Sequence, residues 1–421
     1  MHWNISRIGE KLGAESGINE LMKDLGAAMA GGRHLSMLGG GNPAHIPEME
    51  ALWRARWREI ATDGDQLERA LGNYDAPQGN PRFIRAVADS LRREYGWDVS
   101  PDHIAIVNGS QNAFFYLFNL LAGPGADGRR RRILLPLAPE YIGYADQALE
   151  TGIFRAVPPR VELIGEHRFK YRIDFDRLEV TDDIGAMCVS RPTNPTGNVL
   201  TDDEVAQLDA LARRHGIPLI IDNAYGAPFP DIIFNDVTPL WTGNTILVMS
   251  LSKLGLPGTR TGIIIGPPDL MRTISSMNAV VGLANGNIGQ VITAPLLEDG
   301  RLYRCSRQVI RPYYETKSRQ ALQWLDAAIP SSLPYRIHVS EGALFLWLWF
   351  DGLPIRAAEL YRRLKERDVL VIPGHYFFYG LPHAHAHEHQ CIRLSYAMGP
   401  DTVQRGIAII AEEVAKAYAG G

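Results

Sequence analysis

Short apolar runs alternate with segments of helical length from about residue 100 onward. The runs are HIAIVNGS, RRILLPLAPEY, GAMCVSRPTNPTG, IPLIIDNAY, TILVMSLSK and TGIIIGPP. Helices are predicted between them over 110–122, 202–214 and 269–281. This alternation is typical of a mostly parallel sheet with helices on both faces, so the predicted fold class is α/β.

The pattern changes after about residue 300. A long helical segment over 302–326 precedes the apolar run EGALFLWLWF. Helices near 356–367 and 401–418 flank the short runs VLVIPG and IRLSYA. We interpret this part of the chain as a second, smaller α/β unit, which the N-terminal segment joins.

Length and charge limit the domain count and the class of partner. At 421 residues the chain is long enough for two domains, and we predict a large domain over 48–300 and a small domain combining 1–47 with 301–421. Lys and Arg number 43 against 47 Asp and Glu, so no basic excess favours nucleic acid as a partner. A small molecule or a protein is expected instead.

Cysteine usage and the short apolar runs indicate where the protein works. Cys188, Cys305 and Cys391 lie far apart and form no CxxC pair, so neither a disulfide framework nor a zinc site is indicated. The N-terminus, MHWNISRIGEKLGAESGINELM, is too polar for a signal peptide, and the longest apolar run, 343–350, is far short of the ~20 residues that span a membrane. We therefore expect a cytoplasmic protein without membrane contact.

The segment SLSKLGLPGTRTG follows a predicted strand and carries one lysine in a constrained turn. Loss of hydration at a strand end favours the neutral amine of Lys253, which can form an imine with an aldehyde. Ser250 and Ser252 add hydroxyls, and the Arg260 guanidinium can hold phosphate through two parallel hydrogen bonds. From this segment alone, a surface lysine and arginine beside an ordinary turn remain an equal alternative.

Other predicted strands also end in polar residues, where open α/β sheets gather their ligand-binding loops. Asp222 ends IPLIID and is either a helix cap or an acid that holds a proton on a heterocyclic nitrogen; Tyr225 follows it. Asn194 lies between two prolines in a rigid loop. Ser110 and Gln111 begin a helix after Gly109, a natural place for phosphate.

Aldehyde capture, nitrogen protonation and phosphate binding together are what pyridoxal 5'-phosphate requires of a protein. In that interpretation Lys253 holds the aldehyde of the cofactor and Arg260 holds its phosphate. With these motifs the sequence resembles the fold-type I, class I/II aminotransferases over nearly its whole length. The resemblance implies a large domain with a mostly parallel seven-stranded sheet flanked by helices, plus a smaller α/β domain.

The resemblance also implies a role for each motif. Lys253 of SLSKLGLPGTRTG would be the imine-forming residue, while Ser250, Ser252 and Arg260, with Ser110 and Gln111, would face the phosphate. DNAY resembles the Asp-x-x-Tyr element of the family, which implies Asp222 on the pyridine nitrogen and Tyr225 on the ring hydroxyl. Asn194 of NPTG would assist at the ring.

Two further elements complete the implied cofactor site. APEYIGY resembles a Pro-x-Tyr loop whose tyrosine, here Tyr141, stacks on the cofactor ring; taken alone, Tyr141 would more often be a core residue. NYDAPQGNPRFIR is similar to the element whose tyrosine, here Tyr74, reaches the phosphate of the neighbouring subunit. This element implies a homodimer with shared active sites.

The substrate contacts implied by the resemblance lie near the two ends of the chain. IRLSYA resembles the C-terminal strand whose arginine, here Arg393, clamps the α-carboxylate of the substrate in a bidentate fork. LGGGNPAHIPEM resembles the segment that closes over that carboxylate, through Gly41, and Asn194 would contribute there as well. Lys253, Asp222 and Tyr225 are thus the expected catalytic residues.

A narrower resemblance concerns the substrates. The segments that carry it, which together resemble the valine–pyruvate subgroup of the family, are LGGGNPAHIPEM, PLAPEYIGYAD, CVSRPTNPTGN, MSLSKLGLPG, EGALFLWLWF and IPGHYFFYG. This implies ping-pong transfer of the amino group from L-valine to pyruvate, with L-alanine and 3-methyl-2-oxobutanoate as products, in branched-chain amino acid biosynthesis. The alternatives are another donor, such as alanine, 2-aminoadipate or an aromatic amino acid, a carbon–sulfur lyase with the same cofactor, or a ligand-binding regulator.

One departure from the family pattern is the histidine-rich tract HAHAHEH. In an extended segment, His383, His385, His387 and His389 would share one face and could hold a transition metal. A mobile polar loop explains the same composition, and we predict such a loop and no metal site.

Overall fold

The computed structural model of the chain describes residues 4–14, 17, 23, 26 and 35–420. The N-terminal part of the predicted small domain therefore lies partly outside the described residues. Within it, Arg7–Gly13 forms helix α1 and Ser36–Met37 forms strand β1. Strand β1 pairs in parallel with Val369–Leu370, so this segment lies beside the C-terminal part of the chain.

The large sheet contains β2 Ile104–Val107, β3 Gly123–Pro124, β4 Arg130–Leu135, β5 Phe154–Ala156, β8 Ile184–Ser190, β9 Leu219–Asp222, β10 Thr245–Ser250 and β11 Gly262–Ile265. Its main order is β2, β11, β10, β9, β8, β4 and β5, while the two-residue β3 pairs with the start of β4. Strands β10 to β5 run in parallel, and β11 is antiparallel to both of its neighbours. The predicted mostly parallel sheet is confirmed.

A second sheet contains β6 Arg160–Ile164, β7 Arg168–Arg172, β12 Tyr335–His338, β13 Phe345–Phe350, β15 Ile372–Pro373 and β16 Cys391–Ser395, while β14, Val369–Leu370, pairs with β1. Its order is β15, β16, β13, β12, β7 and β6. Hairpin β6–β7 comes from the middle of the chain, yet β7 pairs with β12 in parallel. The two boundaries of the domain prediction remain predictions, and this hairpin joins the C-terminal strands.

The helices after α1 are α2 Pro47–Thr62, α3 Gln66–Gly72, α4 Pro81–Tyr95, α5 Ser110–Leu121, α6 Asp202–Arg214, α7 Pro268–Gly282, α8 Ile288–Glu298, α9 Arg301–Cys305, α10 Arg311–Ala328, α11 Ala357–Glu366, α12 Ala386–Gln390 and α13 Pro400–Ala419. The predicted helices α5, α6, α7, α11 and α13 are confirmed to within one residue at each end. Helix α6 begins at Asp202 because Thr201 and Glu204 form a capping box, in which each side chain accepts a hydrogen bond from the backbone amide of the other residue.

The predicted long helix over 302–326 is helical throughout but is not uniform. Helix α9 passes into a π-helical turn, Ser306–Ile310, before α10 begins at Arg311. Pro312 follows at the second position of α10, where its missing N–H removes one backbone hydrogen bond from the continuous helix. The apolar periodicity predicted the helix but gave no indication of the π-helical turn within it.

The prediction of a mobile polar loop for the histidine-rich tract is wrong. Residues Ala386–Gln390 form α12, and His387 is buried with Nδ1 2.7 Å from the Tyr171 hydroxyl. The His387 ring lies against Trp349 with centroids 4.1 Å apart, and His385 stacks on Phe378. Neighbouring aromatic rings supplied an apolar environment that the local composition could not indicate.

Within the described part of the chain, no helix has both the length and the apolar character needed to cross a bilayer. Over the same residues, no group of three or more His, Cys, Asp or Glu side chains is arranged to hold a metal ion.

Candidate active site

The carboxyl ends of β8, β9 and β10 meet at a cavity of about 450 Å³. Loops at this edge of an open α/β sheet are where ligands bind, because strand order and helix placement leave a crevice there. The cavity wall includes these sequence-predicted residues: Gly41, Ser110, Gln111, Tyr141, Asn194, Asp222, Tyr225, Ser252, Lys253, Arg260 and Arg393. Residues that are up to 352 positions apart in the chain therefore meet around one space.

Lys253 lies in the short 3₁₀ turn Ser252–Leu254, which follows β10 and ends at Gly255 with φ +93°. The Nζ atom donates a 2.6 Å hydrogen bond to the Gly41 carbonyl and lies 5.1 Å from the Tyr225 ring centroid. Burial and the nearby positive Arg393 lower the pKa of Lys253 to about 8, against a smaller opposite effect of Asp222. The amine is thus closer to its neutral, nucleophilic form than a solvated lysine would be.

Asp222 ends β9 with its carboxylate buried at the cavity. Its Oδ2 atom accepts a 2.5 Å hydrogen bond from the Tyr144 hydroxyl, and Oδ1 accepts one from the Ala224 amide at 2.9 Å. Burial raises the pKa of Asp222 to about 6, while these two bonds and Lys253 lower it. A buried carboxylate held in this way can hold a proton on a ring nitrogen of a bound heterocycle.

One corner of the cavity is arranged to receive an anion. Arg260 comes close to Gly109, where an added Cβ would lie 2.1 Å from a guanidinium nitrogen. Ser252 faces the same cavity, and Ser110 and Gln111 are the first two residues of α5, whose amides have no carbonyl acceptor within the helix. A cation, a hydroxyl and free helix amides are together a phosphate-binding set.

Arg393 lies in the middle of β16 with its side chain almost fully buried. Its Nη1 atom donates to Asn194 Oδ1 at 2.6 Å, and Nη2 donates to the Gly39 carbonyl at 2.7 Å. The guanidinium carbon lies 4.0 Å from the Phe345 ring centroid. Among the described residues, Arg393 Nε has no hydrogen-bond partner, and no carboxylate forms an ion pair with Arg393. The buried guanidinium can therefore bind the carboxylate of a ligand in the cavity.

Two tyrosines line the cavity in different ways. The Tyr141 ring packs over Gly143, where an added Cβ would lie 2.3 Å from a ring carbon, and it meets Tyr144 edge-on at 5.3 Å. Tyr225 packs edge-on against Phe345. Burial raises the pKa of Tyr225, so its hydroxyl remains protonated and can donate a hydrogen bond.

Two of the sequence-predicted residues do not line this cavity. Ser250 lies behind the wall as the last residue of β10, and its hydroxyl donates to Ser252 Oγ at 2.9 Å. Tyr74 lies on the surface with 82% of its area exposed. The segment that carries it is tied to the loop after α7, because Asn287 donates to the Asn73 carbonyl.

Sequence reasoning missed two buried groups next to the cavity, Glu140 and Tyr144. Both belong to the APEYIGY segment, in which only Tyr141 was assigned a role. Tyr144 bonds to Asp222, and Glu140 accepts hydrogen bonds from the Ser190 amide and hydroxyl. A signal was present, since an acid within an otherwise apolar run needs a buried partner, but the sequence did not indicate which partner.

Pyridoxal 5'-phosphate fits these residues on structural grounds. The partly neutral amine of Lys253, the buried acid Asp222 and the anion corner at Arg260 face one cavity. An added Cβ at Gly262 would lie 2.5 Å from the Gly109 backbone, so glycine is needed where β11 passes the start of α5. Fold and site together define a pyridoxal-phosphate enzyme of the aminotransferase type.

The chain belongs to the family described as aminotransferase class I and II, whose sequence profile matches residues 49–410. This family depends on pyridoxal 5'-phosphate. The chain is 48% identical to the valine–pyruvate aminotransferase of Escherichia coli K12 over 98% of its length and 99% of that protein. The resemblance predicted from the motifs is confirmed.

Solved structures agree with this assignment. A putative amino-acid aminotransferase from Psychrobacter arcticum has a TM-score of 0.97 and 44% identity, with both chains covered completely. The valine–pyruvate aminotransferase of Salmonella typhimurium LT2 has a TM-score of 0.89 and 47% identity, covering 96% of this chain and all of that one. The predicted fold class is therefore confirmed by comparison as well as by strand order.

Proposed function

We propose that this chain transfers the amino group of L-valine to pyruvate, forming 3-methyl-2-oxobutanoate and L-alanine. The observation that carries the proposal is the site geometry around Lys253 and Arg393 in a chain 48% identical to a valine–pyruvate aminotransferase. Both substrates share one carboxylate and a small apolar remainder. They would use the site in turn, which predicts ping-pong kinetics.

The wall of the cavity supports an apolar side chain on the donor. Its cations among the described lining residues are Lys253, Arg260 and Arg393. We assign the first two to the cofactor and the third to the α-carboxylate, so no further lining cation remains for a second carboxylate. Met37 and Ile142 also line the cavity and offer aliphatic contacts to an isopropyl group.

The cofactor contacts that the family resemblance implies are part of the proposal, and the shared cavity wall supports them. Lys253 would hold the aldehyde, Asp222 the ring nitrogen and Tyr225 the ring hydroxyl, while Tyr141 and Asn194 would contact the ring. The phosphate would be held by the remaining cofactor residues, namely Ser110, Gln111, Ser250, Ser252 and Arg260. Ser250 would act through its hydrogen bond to Ser252 rather than directly.

The reacting groups of the chain each have a distinct task. Pyridoxal phosphate, when bound, supplies an electron sink that stabilises negative charge at the substrate Cα. Lys253 Nζ removes the Cα proton as a general base and returns a proton as a general acid, for which a pKa near the working pH is favourable. Arg393 and Asn194 hold the α-carboxylate, and Gly41 closes over it.

We also propose a homodimer with shared active sites. Tyr74 cannot serve the cavity of its own chain, since it lies exposed outside the wall. Leu71, Val280, Val281 and Leu283 are likewise exposed large apolar residues, and hydrogen bonds join their two segments at Asn73 and Pro77. A second copy that covers this surface would bury these side chains and bring its Tyr74 to the phosphate corner.

A cytoplasmic location is a further part of the proposal. Cys188 and Cys391 are buried and Cys305 is half-buried, and all three are free thiols. Thiols that remain unpaired fit a reducing compartment.

The decisive experiment is a panel of amino donors and 2-oxo acid acceptors, with the new amino acid identified by chromatography. Valine with pyruvate is expected to give alanine and 3-methyl-2-oxobutanoate, and aspartate is expected to be a poor donor. A clear preference for a dicarboxylic or aromatic donor would show that L-valine is not the main amino donor. Release of ammonia or a thiol instead of a new amino acid would indicate lyase chemistry.

A further inference from the structure

Glu140 is a buried carboxyl group directly behind the cavity. Only 2% of its area is exposed, and among the described residues no lysine or arginine forms an ion pair with it. Burial raises the pKa of Glu140 to about 8, with Asp222 contributing in the same direction. A group so costly to bury needs compensating hydrogen bonds, and three donors supply them.

These donors connect two parts of the cavity wall. Glu140 Oε1 accepts from the Ser190 amide at 2.9 Å, while Oε2 accepts from the Tyr141 amide at 3.1 Å and from the Ser190 hydroxyl. Ser190 ends β8 directly opposite Asp222 in the parallel register. Glu140 thereby fastens the Tyr141 backbone to the strand pair that carries the buried acid.

Further tethers fix the same loop from its other side. The Glu140 amide donates to the Phe377 carbonyl at 3.0 Å, and the Tyr379 hydroxyl donates to the Tyr141 carbonyl at 2.8 Å. Phe377 itself lies beneath Arg393, 5.4 Å from the guanidinium carbon. The position of the Tyr141 ring is thus coupled to the strand that carries the carboxylate clamp.

We propose that Glu140 is a positioning residue, which sets the Tyr141 ring against the cofactor by bonding both the Tyr141 amide and the Ser190 amide. The inference rests on the proposed cofactor site, since Tyr141 is assigned to the ring face there. Glu140 does not line the cavity and acts through Tyr141. Both oxygens are needed because each accepts from a different backbone N–H, and each keeps a lone pair for that bond whether the carboxyl group is charged or protonated.

Glu140→Gln tests this directly. The side-chain amide of glutamine has only one acceptor oxygen. In one orientation its NH₂ group faces the Tyr141 N–H, and in the other it faces the Ser190 N–H, so one of the two backbone hydrogen bonds is lost. The apparent Kd for pyridoxal phosphate is expected to rise about 10-fold, and the visible circular dichroism of the bound cofactor is expected to weaken, because the ring wall shifts. Ser190→Ala removes only the rotatable hydroxyl and leaves both backbone bonds, so it should change the same two readouts in the same direction but by less.

Asp209→Asn is the matched control, because Asp209 is another buried carboxylate, bonded to Arg213 and Thr242 away from the cavity. It should lower the thermal stability of the apoprotein and leave cofactor affinity and dichroism unchanged. The inference would be overturned if the Glu140→Gln variant, like this control, lost thermal stability but kept its cofactor affinity and dichroism. If Glu140→Gln does not fold, an unchanged dichroism and Kd in Ser190→Ala would overturn it instead.

Cofactor binding by the wild-type chain distinguishes a failure of the proposed function from a failure of the role proposed for Glu140. A wild-type protein that binds no pyridoxal phosphate defeats the proposed function itself. A wild-type protein that binds it, together with a Glu140→Gln variant of identical affinity and dichroism, leaves the function intact and removes the role of Glu140.

Discussion

The Tyr144 hydroxyl donates a 2.5 Å hydrogen bond to Asp222 Oδ2, and this bond joins a residue of the APEYIGY loop to the acid at the end of β9. The bond stabilises the charged carboxylate and so opposes the rise in the Asp222 pKa that burial causes. Tyr144 thus favours the anionic form of Asp222, which its proposed contact with the cofactor ring requires.

Tyr144→Phe should therefore lower kcat by about 10- to 100-fold, since a hydrogen bond to a charged group contributes about 1.5–3 kcal/mol. The ring packing against Phe114 and Phe118 would remain. Steady-state kinetics measure the effect, with Tyr303→Phe as a control that loses only a bond to Ser90. Equal kcat values in the two variants would contradict this role.

Uptake of pyridoxal phosphate by the apoprotein should depend on pH through Lys253. The neutral amine is the reactive form, and its pKa of about 8 places the midpoint of the uptake rate near pH 8 rather than 10.5. Asp222→Asn should move the midpoint to lower pH, because the carboxylate raises the pKa of Lys253, whereas Arg393 and Arg260 lower it.

Stopped-flow absorbance measures the uptake rate, and Lys253→Ala is the negative control, expected to show no adduct at this position after borohydride reduction. A midpoint near pH 10, or a shift to higher pH in Asp222→Asn, would be incompatible with this environment.

Arg393→Lys should raise KM for valine and for pyruvate alike, by about 100-fold. Lysine keeps the charge but loses the planar fork and the bonds to Asn194 and Gly39, and each charge-assisted bond contributes about 1.5–3 kcal/mol. The absorbance of the bound cofactor should not change. Arg367→Lys, a surface variant at the Glu412 and Glu413 pair, is the control. A KM change for one substrate alone would rule out a common carboxylate site.

Shared active sites predict complementation between subunits. Heterodimers of a Lys253→Ala chain and a Tyr74→Ala chain, purified with two different tags, contain one site with both native residues. Their activity should recover to about half that of the wild type, while each variant homodimer remains impaired. Heterodimers no more active than the homodimers would show that Tyr74 does not act across subunits.

Acid should destabilise the fold through His387 and His338. Burial lowers the pKa of each to about 3, so between pH 6.5 and 3 the unfolded chain binds protons that the native state does not. Stability from these residues is therefore present above pH 6.5 and is lost as pH falls through this window, by up to about 1.4 kcal/mol per pH unit for each histidine.

His387→Phe should remove one of these two contributions and also leave the Tyr171 hydroxyl without its partner at Nδ1. Urea unfolding at pH 7 should show a loss of about 1–3 kcal/mol, with a smaller further loss on acidification than in the wild type. An unchanged pH slope in this variant would mean that His387 is not buried in its neutral form.

Several features of the fold and site could be predicted because their signals are local. The helices at 202–214 and 401–418 follow from periodicity and, at Thr201, from a capping box within four residues. Lys253 and Asp222 could be placed at one edge of the sheet because parallel strands present their carboxyl ends together. The motif types then indicated the cofactor.

Other features could not be predicted, since they depend on residues far apart in the chain. Tyr144 meets Asp222 across 78 positions, and Glu140 meets Ser190 across 50. Hairpin β6–β7 pairs with a strand that follows it by more than 160 residues, although neither strand carries a signal for that partner. The histidine tract shows the same effect, because Trp349 and Tyr171 convert a polar segment into a buried one.

By itself, the sequence predicted the main alternation of strands and helices, the α/β class and the candidate residues of the cofactor site. These are properties of short segments, where side-chain periodicity and turn chemistry act within a few residues. The tertiary structure decided which buried groups share hydrogen bonds, and so the electrostatic state of Asp222, Glu140 and Lys253. Burial and long-range pairing set those free energies, and neither exists until the chain has folded.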